Sequence, residues 1–326
     1  MIIPFIESIY NHSSLRQNDF DYHKLKDDIQ HFSIEPQIYA LLNKKACLDD
    51  TPAFFVHFLK KGSETAFIQN LFLKSQMEKV LCRFEDQQIE TIPLKGVYFS
   101  ETYFGHLAAR STSDIDLLIR KKDLKKIDNI LKLSGFTLES DGPKNHFHCS
   151  YIKHLPGSEI PLQVEIHWDI LKENTSSFDI NTFWESSIPI SPNRYIKHLS
   201  HQHTFYLMVL HAWRHNLDSL RHFLDILQVT EFLENQLNVA DLYSQAKKDG
   251  TLKRVQRTLN ITKQLFDKCS LTHAYAVNNN YGKWWEYKKI RDRNYRSLKV
   301  YLDWVDFVWF GRDQHFHIKK RKASFQ

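Results

Sequence analysis

Two aspartates two positions apart stand in an otherwise apolar segment near the middle of the 326-residue chain. The segment reads Ser-Asp-Ile-Asp-Leu-Leu-Ile over residues 113–119, which predicts a β-strand. Because side chains alternate faces along a strand, Asp114 and Asp116 would point the same way, roughly 6–7 Å apart. Such carboxylates repel each other and are costly to desolvate, and Mg²⁺, which prefers oxygen ligands, would remove that cost. Taken alone, the pair also fits an edge strand whose acids lie in water.

A third acid stands in a second predicted strand, residues 160–168. Large apolar residues occupy every second position of this strand, so the polar residues between them, Glu165 and His167 included, would share the opposite face. A Leu-Pro-Gly-Ser-Glu segment joins it to the apolar residues 147–154, which together predict a β-hairpin. Glu165 is therefore an acid in the middle of a strand, between apolar neighbours.

A lysine and a glycine mark the junction between a predicted strand and a predicted helix. The apolar residues 89–94 end at Lys95 and Gly96, and the helix is predicted over residues 97–104. Glycine lets the backbone approach a ligand closely, and the N-terminus of a helix offers free N–H groups to a phosphate. The same residues also fit a plain turn from strand to helix.

Histidines and an acid recur in the helices that we predict for the C-terminal part of the chain. The set is His211, His215, His222 and Asp225. The first two histidines are four residues apart and would share one face of a helix. The set fits a metal-dependent hydrolase, a structural role, or contacts with substrate at a domain junction. Arg214 and Arg221 are candidates to contact a nucleotide or an acceptor. Three further histidines alternate along the first arm of the hairpin and are predicted to lie at the surface or in a cleft: His146, His148 and His154.

The elements around these residues indicate an α+β fold. We predict an N-terminal helical segment over residues 1–64, a core with a mixed β-sheet and packed helices over 65–190, and an all-helical domain over 191–326. The core would begin with a helix over residues 64–85. Its apolar stripe would consist of Phe67, Leu71, Phe72, Met77, Val80 and Leu81. An aromatic-rich stretch over residues 283–310 is interpreted as part of the core of the helical domain.

The composition is that of a globular protein with a mild excess of positive charge. Hydrophobic residues make up 42% and charged residues 25%, and the net charge of +6 suits a polyanionic ligand such as a nucleotide or nucleic acid. The basic run at residues 319–322 is interpreted as a solvated terminus. The four cysteines form no Cys-x-x-Cys pair, which argues against a thiolate zinc site and favours free thiols in an intracellular protein. We find no signal peptide and no stretch of membrane-spanning length, so the cytoplasm is the expected location.

The ordered set of short motifs resembles the nucleotidyltransferase superfamily that includes the polymerase-beta-like and antibiotic-adenylating enzymes. It is most similar to the group called uncharacterised nucleotidyltransferases. The motifs that carry the resemblance are Leu94-Lys95-Gly96, Arg110, Ser113-Asp114-Ile115-Asp116-Leu117-Leu118, Glu165-Ile166-His167-Trp168, His211-Ala-Trp-Arg-His215 and Leu224-Asp225. They span about residues 65 to 235. The resemblance implies a small mixed sheet with packed helices, followed by a helical domain.

The resemblance also implies an activity: transfer of a nucleoside monophosphate from an NTP to an acceptor hydroxyl, with release of pyrophosphate. ATP is the favoured NTP, and the acceptor is a protein, an RNA, a sugar or a small molecule. Two Mg²⁺ ions, or Mn²⁺, would be held by Asp114, Asp116 and Glu165, with Glu165 also a candidate base for the acceptor hydroxyl. The phosphates would contact Lys95, Gly96, Arg110 and Ser113. The possible substrate contacts are His167, His211, Arg214, His215 and Asp225.

Two other functions compete with transfer at this point. One is a catalytically inactive relative that binds a nucleotide or another protein, and the second is a His/Asp metal phosphohydrolase that uses the helical domain. The presence of all three acids favours the transferase. The oligomeric state is left open.

Overall fold

The helices and strands are those of a computed structural model that describes residues 1–16, 19–140, 147–173 and 175–275. The strands are β1 (Thr91–Pro93), β2 (Ile115–Ile119), β3 (Thr137–Ser140), β4 (His148–Lys153), β5 (Leu162–His167), β6 (Ile188–Pro189) and β7 (Lys197–His198). The α-helices are α1 (Ile2–Tyr10), α2 (Tyr22–Phe32), α3 (Glu35–Lys44), α4 (Ala53–Asp86), α5 (Val97–Phe104), α6 (Leu124–Leu133), α7 (Asn181–Glu185), α8 (His201–Arg214), α9 (Leu220–Leu233), α10 (Val239–Lys248) and α11 (Leu252–Leu265). His146, the aromatic-rich stretch at 283–310 and the basic run at 319–322 lie outside the described residues.

A mixed sheet of five strands carries the predicted acids. Its order is β1-β2-β5-β4-β3, with β2 and β5 parallel and the other pairs antiparallel. The hairpin predicted from the turn residues is the antiparallel pair of β4 and β5. The prediction of an α+β fold with a mixed sheet and packed helices is thereby confirmed.

The two faces of the sheet pack against different cores, as the alternation along β2 requires. Ile115, Leu117 and Ile119 belong to a cluster that includes apolar side chains of α4 and α6. Leu118, on the face that also carries Asp116, belongs to the larger cluster formed with α8 and α9. The face with the acids is therefore the one turned toward the C-terminal helices.

The N-terminal helices pack against the C-terminal helices and share one core with them. Buried apolar residues of α1 to α3 and of α8 to α11 belong to the same cluster. The Tyr10 hydroxyl donates to Gln228 Oε1 at 3.3 Å, and Glu7 accepts a hydrogen bond from the backbone N–H of Lys268 at 2.8 Å. Helix α4 continues without a break through residues 64 and 65, so the division of the chain at that point stays a prediction.

The long helix α4 buries a different face from the one predicted. Phe67, Leu71 and Phe72 are 40–51% exposed, whereas Met77 and Val80 are buried as predicted. The buried face also includes Asn70, whose amide Nδ2 donates to the carbonyls of Leu107 and Arg110, each at 2.7 Å. The prediction for the first half of the stripe was wrong, because helical spacing alone does not distinguish between two neighbouring apolar faces. Among the described residues no helix, this longest one included, is apolar enough along its length to cross a membrane.

Candidate active site

Three carboxylates meet on the face of the sheet that is turned toward the helices. Asp114 immediately precedes β2, Asp116 lies within β2, and Glu165 lies directly opposite Asp116 on the parallel strand β5. His167 joins two of them: its Nε2 is 3.1 Å from Asp116 Oδ1 and 3.2 Å from Glu165 Oε2. One ligand atom from each of Asp116, Glu165 and His167 lies within 4.8 Å of the others. The structure thus brings the distant Glu165 to the aspartate pair.

The Lys95–Gly96 turn delivers an ammonium group to the same place. Lys95 Nζ lies 2.9 Å from Asp116 Oδ2 and 3.7 Å from Asp114 Oδ2. Gly96 has φ +72° and ψ −129°, a conformation that L-residues with a side chain rarely adopt, and an added Cβ would meet Thr112 Cγ2 at 3.0 Å. The glycine therefore permits the turn that aims Lys95 at the acids.

The charged groups at the site shift one another's pKa values. Burial raises the pKa of the Asp116 carboxyl, but the Lys95 ammonium and the hydrogen bond from His167 lower it more, so its pKa lies well below the usual range. The hydrogen bond from His167 is the main reason that the pKa of Glu165 is lowered. Burial and the charge of Asp116 raise the pKa of Asp114. Asp116 and Glu165 are therefore ionised at neutral pH, and Asp114 takes up a proton more readily than either.

Burial lowers the pKa of His167, but its hydrogen bonds to Asp116 and Glu165 raise it by more, so the net shift is upward. Because the folded-state pKa lies above the unfolded value of about 6.5, His167 contributes stability that is fully present below pH 6.5 and is lost as pH rises through the folded-state pKa. In EDTA, the free energy of unfolding of the wild type should therefore fall relative to that of His167→Gln as pH rises above about 6.5. The difference between the free energies of unfolding of the two proteins should change by at most about 1.4 kcal/mol per pH unit, the value for one proton. Urea unfolding of both proteins between pH 6 and 9 measures it, and parallel pH profiles would contradict the expectation.

Helix α8 and the start of α9 place basic side chains opposite the acids. Arg214 is exposed at the end of α8, its guanidinium lies 5.2 Å from the ring centre of Phe147, and it interacts electrostatically with all three carboxylates. Arg221 interacts electrostatically with Asp114. Lys95, His167, His211 and Arg214 line a cleft together with apolar residues of α8. The side chains that line this cleft are therefore basic and apolar, and two of them, Lys95 and His167, contact the carboxylates of the sheet.

Arg110 and Asp225, predicted to contact phosphate and substrate, are paired with each other. Arg110 Nε lies 2.9 and 3.2 Å from the two oxygens of Asp225, and Arg110 Nη2 donates to Asp225 Oδ2 at 2.9 Å. Both residues are buried, and Gln37 Nε2 also donates to Asp225, at 3.4 Å. This bidentate ion pair connects the segment before β2 to α9. Ser113, also predicted to contact phosphate, donates its hydroxyl to Asp114 Oδ1 at 3.1 Å.

The histidine cluster contains an acid other than the predicted one. The ring centres of His211, His215 and His222 lie 4.6–5.4 Å apart. The acid beside them is Asp218, whose Oδ1 is 3.1 Å from His222 Nε2, whereas Asp225 is bound to Arg110. The spacing His215-x-x-Asp218-x-x-x-His222 is the signal in the sequence that could have identified this acid. Of the hairpin histidines, His148 lies beside His167 with ring centres 4.9 Å apart, and His154 is exposed.

The donor set of the three acids suits a divalent cation. Asp116 Oδ2 is a buried oxygen that accepts no well-aligned hydrogen bond and has the Lys95 ammonium as its charged neighbour. Carboxylate oxygens are the ligands that Mg²⁺ and Mn²⁺ prefer. Asp114, Asp116 and Glu165 could therefore hold such an ion, whose charge would replace part of the neutralisation that Lys95 and His167 provide.

Comparison with known protein families identifies the family of this chain. The family model described as "Uncharacterised nucleotidyltransferase" matches residues 18–267, which include the N-terminal helices α2 and α3 as well as the sheet and helices α8 to α11. Searches of the curated proteins and of the solved structures found no match.

Proposed function

Because the chain belongs to the family of uncharacterised nucleotidyltransferases, we propose that it transfers AMP from ATP to an acceptor hydroxyl in a Mg²⁺-dependent reaction that releases pyrophosphate. Membership of the family makes the protein a transferase of phosphorus-containing groups with an NTP as substrate. The observation that carries the finer proposal is the position of Asp114, Asp116 and Glu165, with Lys95 in contact with both aspartates and His167 in contact with Asp116 and Glu165. Carboxylates grouped in this way hold the metal ions on which phosphoryl chemistry depends.

The acids have different roles in the proposed reaction. Asp114, Asp116 and Glu165 would hold the Mg²⁺ through their carboxylate oxygens. When bound, the metal supplies positive charge to the phosphate oxygens of the NTP. Glu165 is ionised at neutral pH, so its carboxylate can accept the proton of the acceptor hydroxyl. His167 orients both Asp116 and Glu165 through its Nε2.

Basic groups on both sides of the cleft would bind the β- and γ-phosphates. Lys95 contacts Asp114 and Asp116 in this structure, and its ammonium is placed to exchange those carboxylates for phosphate oxygens. Arg214 faces the same acids from α8. The backbone N–H groups near Gly96 and the Ser113 hydroxyl complete the proposed phosphate site. His211 and His215 lie next to Arg214 and are the further candidates for contact with substrate. Arg110 and Asp225 act as positioning residues that hold α9 against the segment before β2.

A transfer assay tests this proposal. The purified protein is incubated with each of the four NTPs labelled at the α-phosphorus, with MgCl₂ or EDTA, and with separate protein, RNA, carbohydrate and small-molecule fractions of a lysate. We expect Mg²⁺-dependent pyrophosphate release, with ATP as the best donor, and label in one acceptor fraction. Nucleotide binding without release of pyrophosphate in any fraction would contradict the proposal and indicate a binding protein instead.

A further inference from the structure

The turn between α8 and α9 gathers ligand-type side chains from two helices. His215 is the C-terminal cap of α8, and His222 lies in the first turn of α9. The chain reverses through Asn216 and Leu217, both of which have positive φ, at +53° and +54°. Such a conformation is costly for a non-glycine residue such as leucine, so the surrounding packing holds this turn in one shape. Leu217 is fully buried, which provides that packing.

The turn brings two imidazoles and a carboxylate within reach of one ion. One ligand atom from each of His215, Asp218 and His222 lies within 4.8 Å of the others. In a tetrahedral zinc site, where ligand atoms are about 2.0–2.2 Å from the metal, they lie roughly 3.4 Å apart. Asp218 Oδ1 and His222 Nε2, 3.1 Å apart, already approach that separation. The His215 ring is stacked nearly parallel to that of His222, with 17° between the planes.

We propose that His215, Asp218 and His222 form a binding site for a transition-metal ion of the zinc class. Imidazole nitrogen is a ligand that suits Zn²⁺, whereas Mg²⁺ prefers sites made of oxygen atoms alone. The site therefore differs in chemistry from the three acids of the sheet. Three protein ligands leave a fourth position of the tetrahedron for water. Partial exposure of all three side chains gives the ion a path of entry.

The position of this site suggests what the ion does. Arg214 directly precedes His215, and Arg221 directly precedes His222. An ion bound to both histidines would tie the end of α8 to the start of α9 and so restrict the two arginines that interact with the acids. This consequence rests on the proposed function, whereas binding of the ion does not.

Equilibrium titration of the EDTA-stripped full-length protein with Zn²⁺, in competition with a chromogenic chelator, tests the site. We expect His215→Ala and His222→Ala each to weaken binding of one Zn²⁺ per chain by at least about 100-fold, since even outer-shell changes at metal sites cost 10–100-fold. Asp218→Asn, which keeps the shape of the side chain, should weaken it by at least about tenfold. His154→Ala, which removes an exposed histidine directly after β4, is the matched control and should leave the affinity unchanged.

Asp116→Asn shows whether Zn²⁺ binds at this site or at the acids of the sheet. We expect this variant to bind Zn²⁺ like the wild type, whereas the histidine variants lose the binding. Absence of binding by the wild type, or equal affinity in the wild type and Asp218→Asn, would overturn the proposal, as would loss of Zn²⁺ in Asp116→Asn alone. Circular dichroism identifies any variant that does not fold. If an alanine variant does not fold, the Zn²⁺ affinity of Asp218→Asn decides whether the site exists. The titration uses no nucleotide, so Zn²⁺ binding and nucleotidyl transfer are tested independently, and either result can be negative while the other is positive.

Discussion

Asp116→Asn is expected to lower the rate of nucleotidyl transfer by at least about 1,000-fold while the protein stays folded. The amide has the shape of the carboxyl group but lacks the charge that would hold Mg²⁺ and that pairs with Lys95 at 2.9 Å. Loss of metal-borne charge stabilisation costs several kcal/mol, and each 1.4 kcal/mol is a factor of ten in rate. Pyrophosphate release in the transfer assay measures the rate, and Asp114→Asn should behave in the same way.

The matched control for this experiment is Asp123→Asn. Asp123 stands at the start of α6, where its side chain makes no capping hydrogen bond, so the same chemical change away from the site should leave the rate unaltered. Urea unfolding of each variant confirms that it is folded under assay conditions. If Asp116→Asn catalysed nucleotidyl transfer at the wild-type rate, the proposed mechanism would lose its basis, since Asp116 is the acid that contacts both Lys95 and His167.

Asp225→Ala is expected to be the most destabilising of the substitutions discussed here, by about 3–5 kcal/mol in the free energy of unfolding. Arg110 is buried, and the two oxygens of Asp225 accept from its Nε and Nη2. Removing one partner of a buried pair leaves an uncompensated buried charge, which accounts for a loss of this size. The midpoint and slope of urea unfolding give the free energy.

The double variant Arg110→Met, Asp225→Leu separates the cost of the unpaired charge from the value of the pair itself. Apolar replacements of both members of a buried ion pair are often neutral or stabilising, so the double variant should recover most of the stability lost in Asp225→Ala. Equal destabilisation of the single and double variants would contradict this explanation. It would mean that the carboxylate of Asp225 matters for another contact, such as the one from Gln37.

The amino-acid sequence by itself determined the parts of the site that depend on local geometry. Strand alternation places Asp114 and Asp116 on one face whatever the rest of the chain does, and the Pro-Gly turn sets up the hairpin that contains Glu165. Gly96 likewise has a local cause, because the turn requires a positive φ. The order of these short motifs was enough to indicate the family to which the chain belongs.

Only the tertiary structure decided which distant residues meet, because such contacts depend on strand register and helix packing rather than on local pattern. The parallel register of β2 and β5 sets Asp116 opposite Glu165, 49 positions away. Packing of α9 gives Arg110 its partner Asp225, 115 positions away, and leaves Asp218 beside the histidines. The same holds for the N-terminal helices, whose periodicity shows that they have an apolar face but not that the C-terminal helices cover it.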